Sequence, residues 1–251
     1  MLLASLVPAD FARTGLHFAP SGVNPTRFQV IGERSSGTNH VKRLLGRNTP
    51  LIPVELLGWK HGGIQAQAVP RDMVVVLSLR NAVDWALSMY AKPWHTPPTM
   101  QQLEFADFLR TPWETILDHP KYFEGAGPLM VGQPLQQDRD PMGRPYPNLF
   151  ALRVGKLAAH LSWLNRGCSV VVVRHESVLA DQEGFVQKFR SQMGLPPLDA
   201  PLRPVVKRLG SRFVAAVSGR PDAPKEITDG DRAFLRAQLD LPLEKALGYD
   251  Y

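Results

Sequence analysis

Arg27-Phe28-Gln29-Val30-Ile31-Gly32-Glu33-Arg34-Ser35-Ser36-Gly37-Thr38-Asn39 runs from a short apolar strand, through a glycine-bounded loop, into an amphipathic helix. The helix follows from Val41, Leu44 and Leu45, which share one face while Lys42 and Arg43 lie outside it. Strand, glycine-bounded loop and helix in that order make a phosphate cradle, with backbone N–H groups and a helix N-terminus turned toward an anion. A Walker A loop places Lys and then Ser or Thr after its second glycine. Here Gly37 is followed by Thr38 and Asn39. The missing lysine restricts the chemistry, and the rest of the chain must say to what.

Outward from this loop, the pattern alternates between strand and helix. Met73-Val74-Val75-Val76-Leu77-Ser78-Leu79 is a continuous apolar run, as expected of a central parallel strand covered on both faces. Arg80-Asn81 then opens a helix to about Tyr90, with Asn81 as its N-cap. Leu51–Leu57 reads as a second short strand, Leu149–Leu164 as a helix and Ser169–Val173 as a strand. Phe185, Val186, Phe189 and Met193 mark another helix, and Asp229–Leu239 reads as the last one. Residues 1–26 form an irregular N-terminal arm. Residues 91–147, rich in Pro, Gly and aromatics with one helix around 100–109, form a lid or substrate-binding insert. The alternation predicts an α/β fold, a three-layer domain around a central parallel sheet with right-handed crossovers. At 251 residues the chain suits one such domain over 1–251.

The formal charge of +6, from 29 basic against 23 acidic residues, suits an anionic ligand. The basic residues are scattered, with no basic run interleaved with aromatics, so no nucleic-acid partner is expected. A single cysteine, Cys168, excludes an internal disulfide framework and points to a reducing compartment. Met1–Val7 is apolar but too short to span a bilayer, and it lacks a basic n-region. A soluble, cytoplasmic protein with no membrane partner is expected. His17, His119, His160 and His175 show no metal-like spacing and the lone cysteine supplies no thiolate pair, so no metal is expected.

The segment Leu79-Arg80-Asn81-Ala82-Val83-Asp84-Trp85-Ala86-Leu87-Ser88 carries a second anion signal. Arg80 falls where a buried strand ends and a helix begins, the edge at which open α/β sheets bind ligands. Its fork suits a phosphate, and Ser88 offers a hydroxyl; the plainer reading is a capped helix with Arg80 paired to Asp84.

Together these segments resemble the sulfotransferases that use 3′-phosphoadenosine-5′-phosphosulfate (PAPS). Gly32-Glu33-Arg34-Ser35-Ser36-Gly37-Thr38-Asn39 is similar to the family's 5′-phosphosulfate loop, whose core reads P-[KR]-S-G-T-T. Arg80 and Ser88, eight apart, resemble the Arg and Ser that hold the 3′-phosphate. Val171-Val172-Val173-Arg174-His175-Glu176-Ser177-Val178-Leu179 resembles the R-Y-E-D-L segment, with His175 for Tyr and Ser177 for Asp, and Leu247-Gly248-Tyr249 resembles the tail of many members. The resemblance covers roughly residues 28–90 and 148–250.

The resemblance implies a P-loop-type sulfotransferase architecture with PAPS as co-substrate and no metal. Arg34, Ser35, Ser36, Gly37, Thr38 and Asn39 would meet the phosphosulfate, and Arg80 with Ser88 the 3′-phosphate. His61, in Trp59-Lys60-His61-Gly62-Gly63, matches the family's general base, and an attacking alcohol does need a proton acceptor that titrates near neutrality. Lys60 would neutralise charge on the bridging oxygen. One departure stands out: the family's Lys or Arg position falls on Ser35, with the charge one residue earlier at Arg34, so Arg34, Lys60 or Arg43 would have to serve. His95 is a candidate to line the acceptor pocket, and residues 91–147 become the acceptor-binding insert. The basic stretch around Lys207-Arg208-Leu209-Gly210 loosely resembles a loop that closes over the 3′-phosphate. The acceptor is a small molecule or a glycan. Two alternatives stay open, a P-loop nucleotide-dependent kinase and a non-catalytic binder of PAPS or 3′,5′-ADP.

Overall fold

The computed structural model describes residues 4–206 and 213–251. The elements begin with α1 (Phe11–Thr14), β1 (Leu16–Ala19), β2 (Arg27–Ile31), α2 (Thr38–Asn48), β3 (Ile52–Pro53) and β4 (Met73–Leu79). Next come α3 (Ala82–Ala91), α4 (Pro98–Gln101), α5 (Phe105–Arg110) and α6 (Leu149–Leu161). The chain ends with β5 (Ser169–Arg174), α7 (His175–Ala180), α8 (Gln182–Gln192), α9 (Asp229–Gln238) and α10 (Leu241–Ala246). This is an α/β chain with a five-stranded, mostly parallel sheet in the order β1-β5-β4-β2-β3. Among the described residues no helix is long and apolar enough to cross a membrane.

The chain divides into two compact units. The first comprises Met1–Arg80, Ala158–Ser211 and Pro242–Asp250 and contains the sheet. All seven residues of β4 are buried, as expected of a strand that is apolar at every position but Ser78. Val30, Val76 and Val171 lie in register across β2, β4 and β5. With Phe28, Val74 and Val173 they pack against Val41, Leu44 and Leu45 of α2 and Phe185, Val186 and Phe189 of α8. The amphipathic spacing read in both helices is thus what covers the sheet.

The register brings the carboxyl ends of β2, β4 and β5 to one edge. From β2 the chain leads outward to β3, whereas from β4 it leads to β5 on the other side. β2 and β4 therefore flank the point where the strand order reverses, the place at which open α/β sheets form ligand crevices.

The second unit, Asn81–Leu157, Arg212–Leu241 and Tyr251, is mostly helix and turn. Its core gathers Trp85, Met89 and Tyr90 of α3, Phe105, Phe108 and Leu109 of α5, Leu149, Phe150 and Leu152 of α6, and Leu235 of α9. Asn81 caps α3 as its sequence position implied, accepting from the N–H groups of Val83 and Asp84.

Four readings of the chain differ from what forms. Asp229–Gln238 is not the last helix, since α10 follows it. The arm at 1–26 is not irregular throughout: Leu16–Ala19 adds an antiparallel edge strand to β5. The single helix around 100–109 is two, α4 and α5, parted at Gln102–Glu104, where the Leu103 carbonyl accepts the Tyr90 hydroxyl. The short strand in Leu51–Leu57 shrinks to two residues, because Pro53 has no N–H for a ladder.

Candidate anion site

Gly32 ends β2 where side chains do not fit. A Cβ there would meet the Ser78 carbonyl oxygen at 2.4 Å, so glycine is what lets the loop leave the sheet. Ser36 braces the turn. Its N–H and hydroxyl both donate to the Glu33 carbonyl, and its own carbonyl accepts the Ser78 hydroxyl. Ser36, expected among the anion contacts, is therefore committed to holding the loop's shape.

Ser35 adopts a left-handed φ of 63°, uncommon for a residue with a side chain. Such backbone persists where the surroundings over-determine it, and it collects at binding sites. Here Arg80 supplies a restraint, donating to the Ser35 carbonyl at 3.0 Å. Gly37, at φ 89°, is the N-cap of α2 and offers no side-chain acceptor. The first-turn N–H groups of α2 thus have no side-chain cap, which suits an anion at that end. Thr38 is buried behind them and Asn39 is exposed.

The segment 57–62 lies across this loop as a strap. Buried Gln29, a polar residue inside β2, donates to the Gly58 carbonyl and accepts the Leu57 N–H, fixing one end. His160 holds the other end by donating to the Gly62 carbonyl at 3.1 Å. Between them the Gly32 N–H donates to the Lys60 carbonyl, and Lys60 Nζ donates to Asn39 Oδ1 at 2.7 Å.

His61 Nδ1 lies 2.6 Å from the Gly32 carbonyl oxygen. A carbonyl only accepts, so Nδ1 carries the proton and Nε2 of the neutral ring carries the lone pair. That is the tautomer a general base needs. The Trp59 ring joins the strap to the loop: His61 stands edge-on to it at 5.4 Å, and the Arg34 guanidinium lies 5.5 Å from its centroid. Arg34 is buried in this packing. Burial lowers the Lys60 pKa; Glu55 opposes that shift and Lys42 adds to it. The adjacent Lys60 and His61 thus meet Arg34, distant in sequence, at one loop.

A further pair stands against the same loop. His175 opens α7 at the end of β5, and a Cβ on Gly37 would sit 2.1 Å from its ring. His40, on the first turn of α2, meets the His175 ring edge-on at 5.3 Å. Burial, then the fields of His40 and Arg80, depress the His175 pKa to about 4. Burial also lowers that of His40, against the pull of the Val205 backbone. Gly37→Ala is expected to cost about 1–2 kcal/mol from the left-handed backbone alone, and to push His175 off the loop. Denaturant midpoints and sulfate affinity check both effects.

Ser88 lies half-buried on α3 in the second unit. His95, also in the second unit, is buried in the turn between α3 and α4, where it donates from Nδ1 to Asp118 at 2.7 Å with a left-handed φ of 66°. Trp85 and Trp113 belong to the second unit's core. Arg220 donates to the carbonyls of Tyr90 and Ala91. The basic stretch 207–212 falls outside the described residues. Among the described residues no group of three His, Cys, Asp or Glu side chains could hold a metal ion.

Comparison with known proteins finds no match. No family model fits the chain, and no curated protein or solved structure is significantly similar to it. The function must be argued from the site itself.

Sequence reasoning passes over Gln29, His160 and His175 as working parts of this site, while His40, on the first helical turn after the loop, is within reach of the ligand by position alone. Gln29 did leave a signal, a lone amide inside a run that is otherwise apolar. The pairing of His40 with His175 left none, since 135 residues separate them and only the fold brings them together.

Proposed function

We propose that the chain is a PAPS-dependent sulfotransferase that moves a sulfuryl group to the hydroxyl or amine of a small-molecule or glycan acceptor. The observation that carries this reading is His61, hydrogen-bonded through Nδ1 to the Gly32 carbonyl of a phosphate-type loop that has no lysine. An NTPase-type loop needs a lysine after Gly37 and a strand-end acid for Mg²⁺; Thr38 and Arg80 occupy those places. Sulfuryl transfer needs neither, but it does need a base for the acceptor.

PAPS supplies an activated sulfuryl group on a good leaving phosphate. The loop N–H groups from Gly37 onward and the Thr38 hydroxyl would orient the 5′ end, and Arg80 would meet the 3′-phosphate. His61 Nε2 would take the acceptor proton. Lys60 and Arg34 would stabilise negative charge growing on the bridging oxygen. The cations thus come from three segments instead of one loop lysine. Catalysis on this reading is positioning and electrostatics.

A second reading, a binder of PAPS or 3′,5′-ADP without turnover, is favoured by Ser35. It stands at the family's cationic position and its carbonyl is already engaged by Arg80. Calorimetry with 3′,5′-ADP and with ATP in the presence and absence of Mg²⁺ tests the ligand class. Binding of 3′,5′-ADP without magnesium is expected; magnesium-dependent ATP binding with none of 3′,5′-ADP overturns the proposal. PAPS turnover over an acceptor panel then separates enzyme from binder.

A further inference from the structure

His175 Nε2 is fully buried and has no hydrogen-bond partner among the described residues. Buried polar atoms in native proteins are nearly always satisfied, so such an atom beside a ligand loop asks for an explanation. The loop itself supplies one. A Cβ on Gly37 would lie 2.5 Å from this same Nε2, which places the nitrogen directly against the N-cap of α2. His40, on the first turn of α2, packs edge-on against it, and its two ring nitrogens are likewise buried without a hydrogen bond of acceptable geometry. Two imidazoles, one with an unpartnered buried nitrogen at His175 Nε2, therefore stand at an uncapped helix N-terminus within the field of Arg80.

We propose that His175, backed by His40, is a proton-taking ligand of the anion loop: a phosphate or sulfate group held there draws one solvent proton onto His175, and the imidazolium N–H donates to it. No covalent bond changes; the proton comes from solvent and returns on release. The proposal relies on the proposed function only for the nucleotide used as one probe.

The surrounding charges are consistent with this role. In the free protein burial, His40 and Arg80 all oppose protonation of His175, holding its pKa near 4, so the ring is neutral at neutral pH. The neighbouring elements also carry Glu33 and Arg34 in the loop, both buried. On either side of His175, Arg174 is turned to the Gly248 carbonyl and Glu176 accepts the Tyr249 hydroxyl. A dianion changes the balance: it offsets Arg80 and gives the proton a partner. By linkage, a ligand that raises the pKa of a group binds more tightly as pH falls toward that group's free value.

The test is an NMR titration of the His175 ring in the wild-type chain, alone, with saturating inorganic sulfate and with saturating 3′,5′-ADP. Calorimetry in two buffers of different ionisation enthalpy accompanies it. Alone, the ring is expected to titrate near 4; with either ligand it should titrate above 6. At pH 5.5 the wild type should then take up close to one proton more per ligand than His175→Gln. Affinity in the wild type, relative to that variant, should rise by about tenfold or more in all as pH falls from 6 to 4.5. His40→Gln should keep the uptake, because His175 remains.

Binding of 3′,5′-ADP with an unmoved His175 titration overturns this inference and leaves the proposed function standing. A sulfate-induced change with no 3′,5′-ADP binding supports the inference and overturns the function. Absence of binding by both ligands overturns both.

Discussion

Replacing His61 by alanine is expected to lower PAPS turnover by about 10²–10⁴-fold, the span that positioned general bases contribute. Nucleotide affinity should stay near that of the wild type. The alanine variant removes two things at once, the base at Nε2 and the Nδ1 donor that ties the strap to Gly32. His61→Asn separates them, because its amide can still donate toward the Gly32 carbonyl but has no basic nitrogen. If His61 is the base, Asn is as inactive as Ala, and both lose the acid limb of the pH–rate profile. If the ring only positions the loop, Asn recovers most of the rate. A wild-type rate in both variants would remove His61 from the mechanism.

How much of this site was legible in the sequence depends on the distance over which each feature is encoded. β4 and the cap of α3 are local statements, made by a run of seven residues with six of them apolar and by one asparagine, and both form as read. The loop is local too. Gly32 and Gly37 mark the two backbone positions where a side chain would strike the Ser78 carbonyl or the His175 ring. β1 is encoded at long range: Leu16-His17-Phe18-Ala19 shows no alternation, all four are half-buried, and their partners are Val170–Val173. The strap belongs to the same class. Nothing near Lys60 or His61 announces that Gln29 and His160 will clamp the segment at both ends.

The loop's missing lysine also reads differently with the side chains in place. A P-loop lysine is a single mobile point charge inside the motif. Here Arg34 is buried against Trp59, Lys60 reaches Asn39, and Arg80 is fixed on the Ser35 carbonyl. Three cations held by separate partners give a field with direction and little freedom, which suits a ligand with negative charge at more than one point. Sequence alone placed the charge at Arg34 and asked whether it could act from there. The geometry recasts that question as one about the Trp59 ring, which orients Arg34 and His61 together.

Lys156→Met should destabilise the second unit by about 3–5 kcal/mol, the usual consequence of stripping one partner from a buried ion pair. Lys156 Nζ lies 2.8 Å from Asp138 Oδ1, with both side chains at most 2% exposed, and it also donates to the Gln137 carbonyl. The Thr115 hydroxyl donates to the other carboxylate oxygen at 2.9 Å. The pair thus ties α6 to two points of the insert, in a stretch with little regular structure to hold it. Methionine fills a similar volume, so the loss reflects the uncompensated carboxylate and not a cavity. This argument makes a sharper claim about the double variant. Lys156→Met with Asp138→Leu removes both charges, and the Thr115 hydroxyl and the Gln137 carbonyl then lose one bond each, at about 1 kcal/mol apiece. It should therefore be more stable than Lys156→Met alone, and urea denaturation of both variants decides the matter. A double variant no better than the single one would mean that the insert depends on the geometry of the pair itself, with charge neutrality a minor part of its stability.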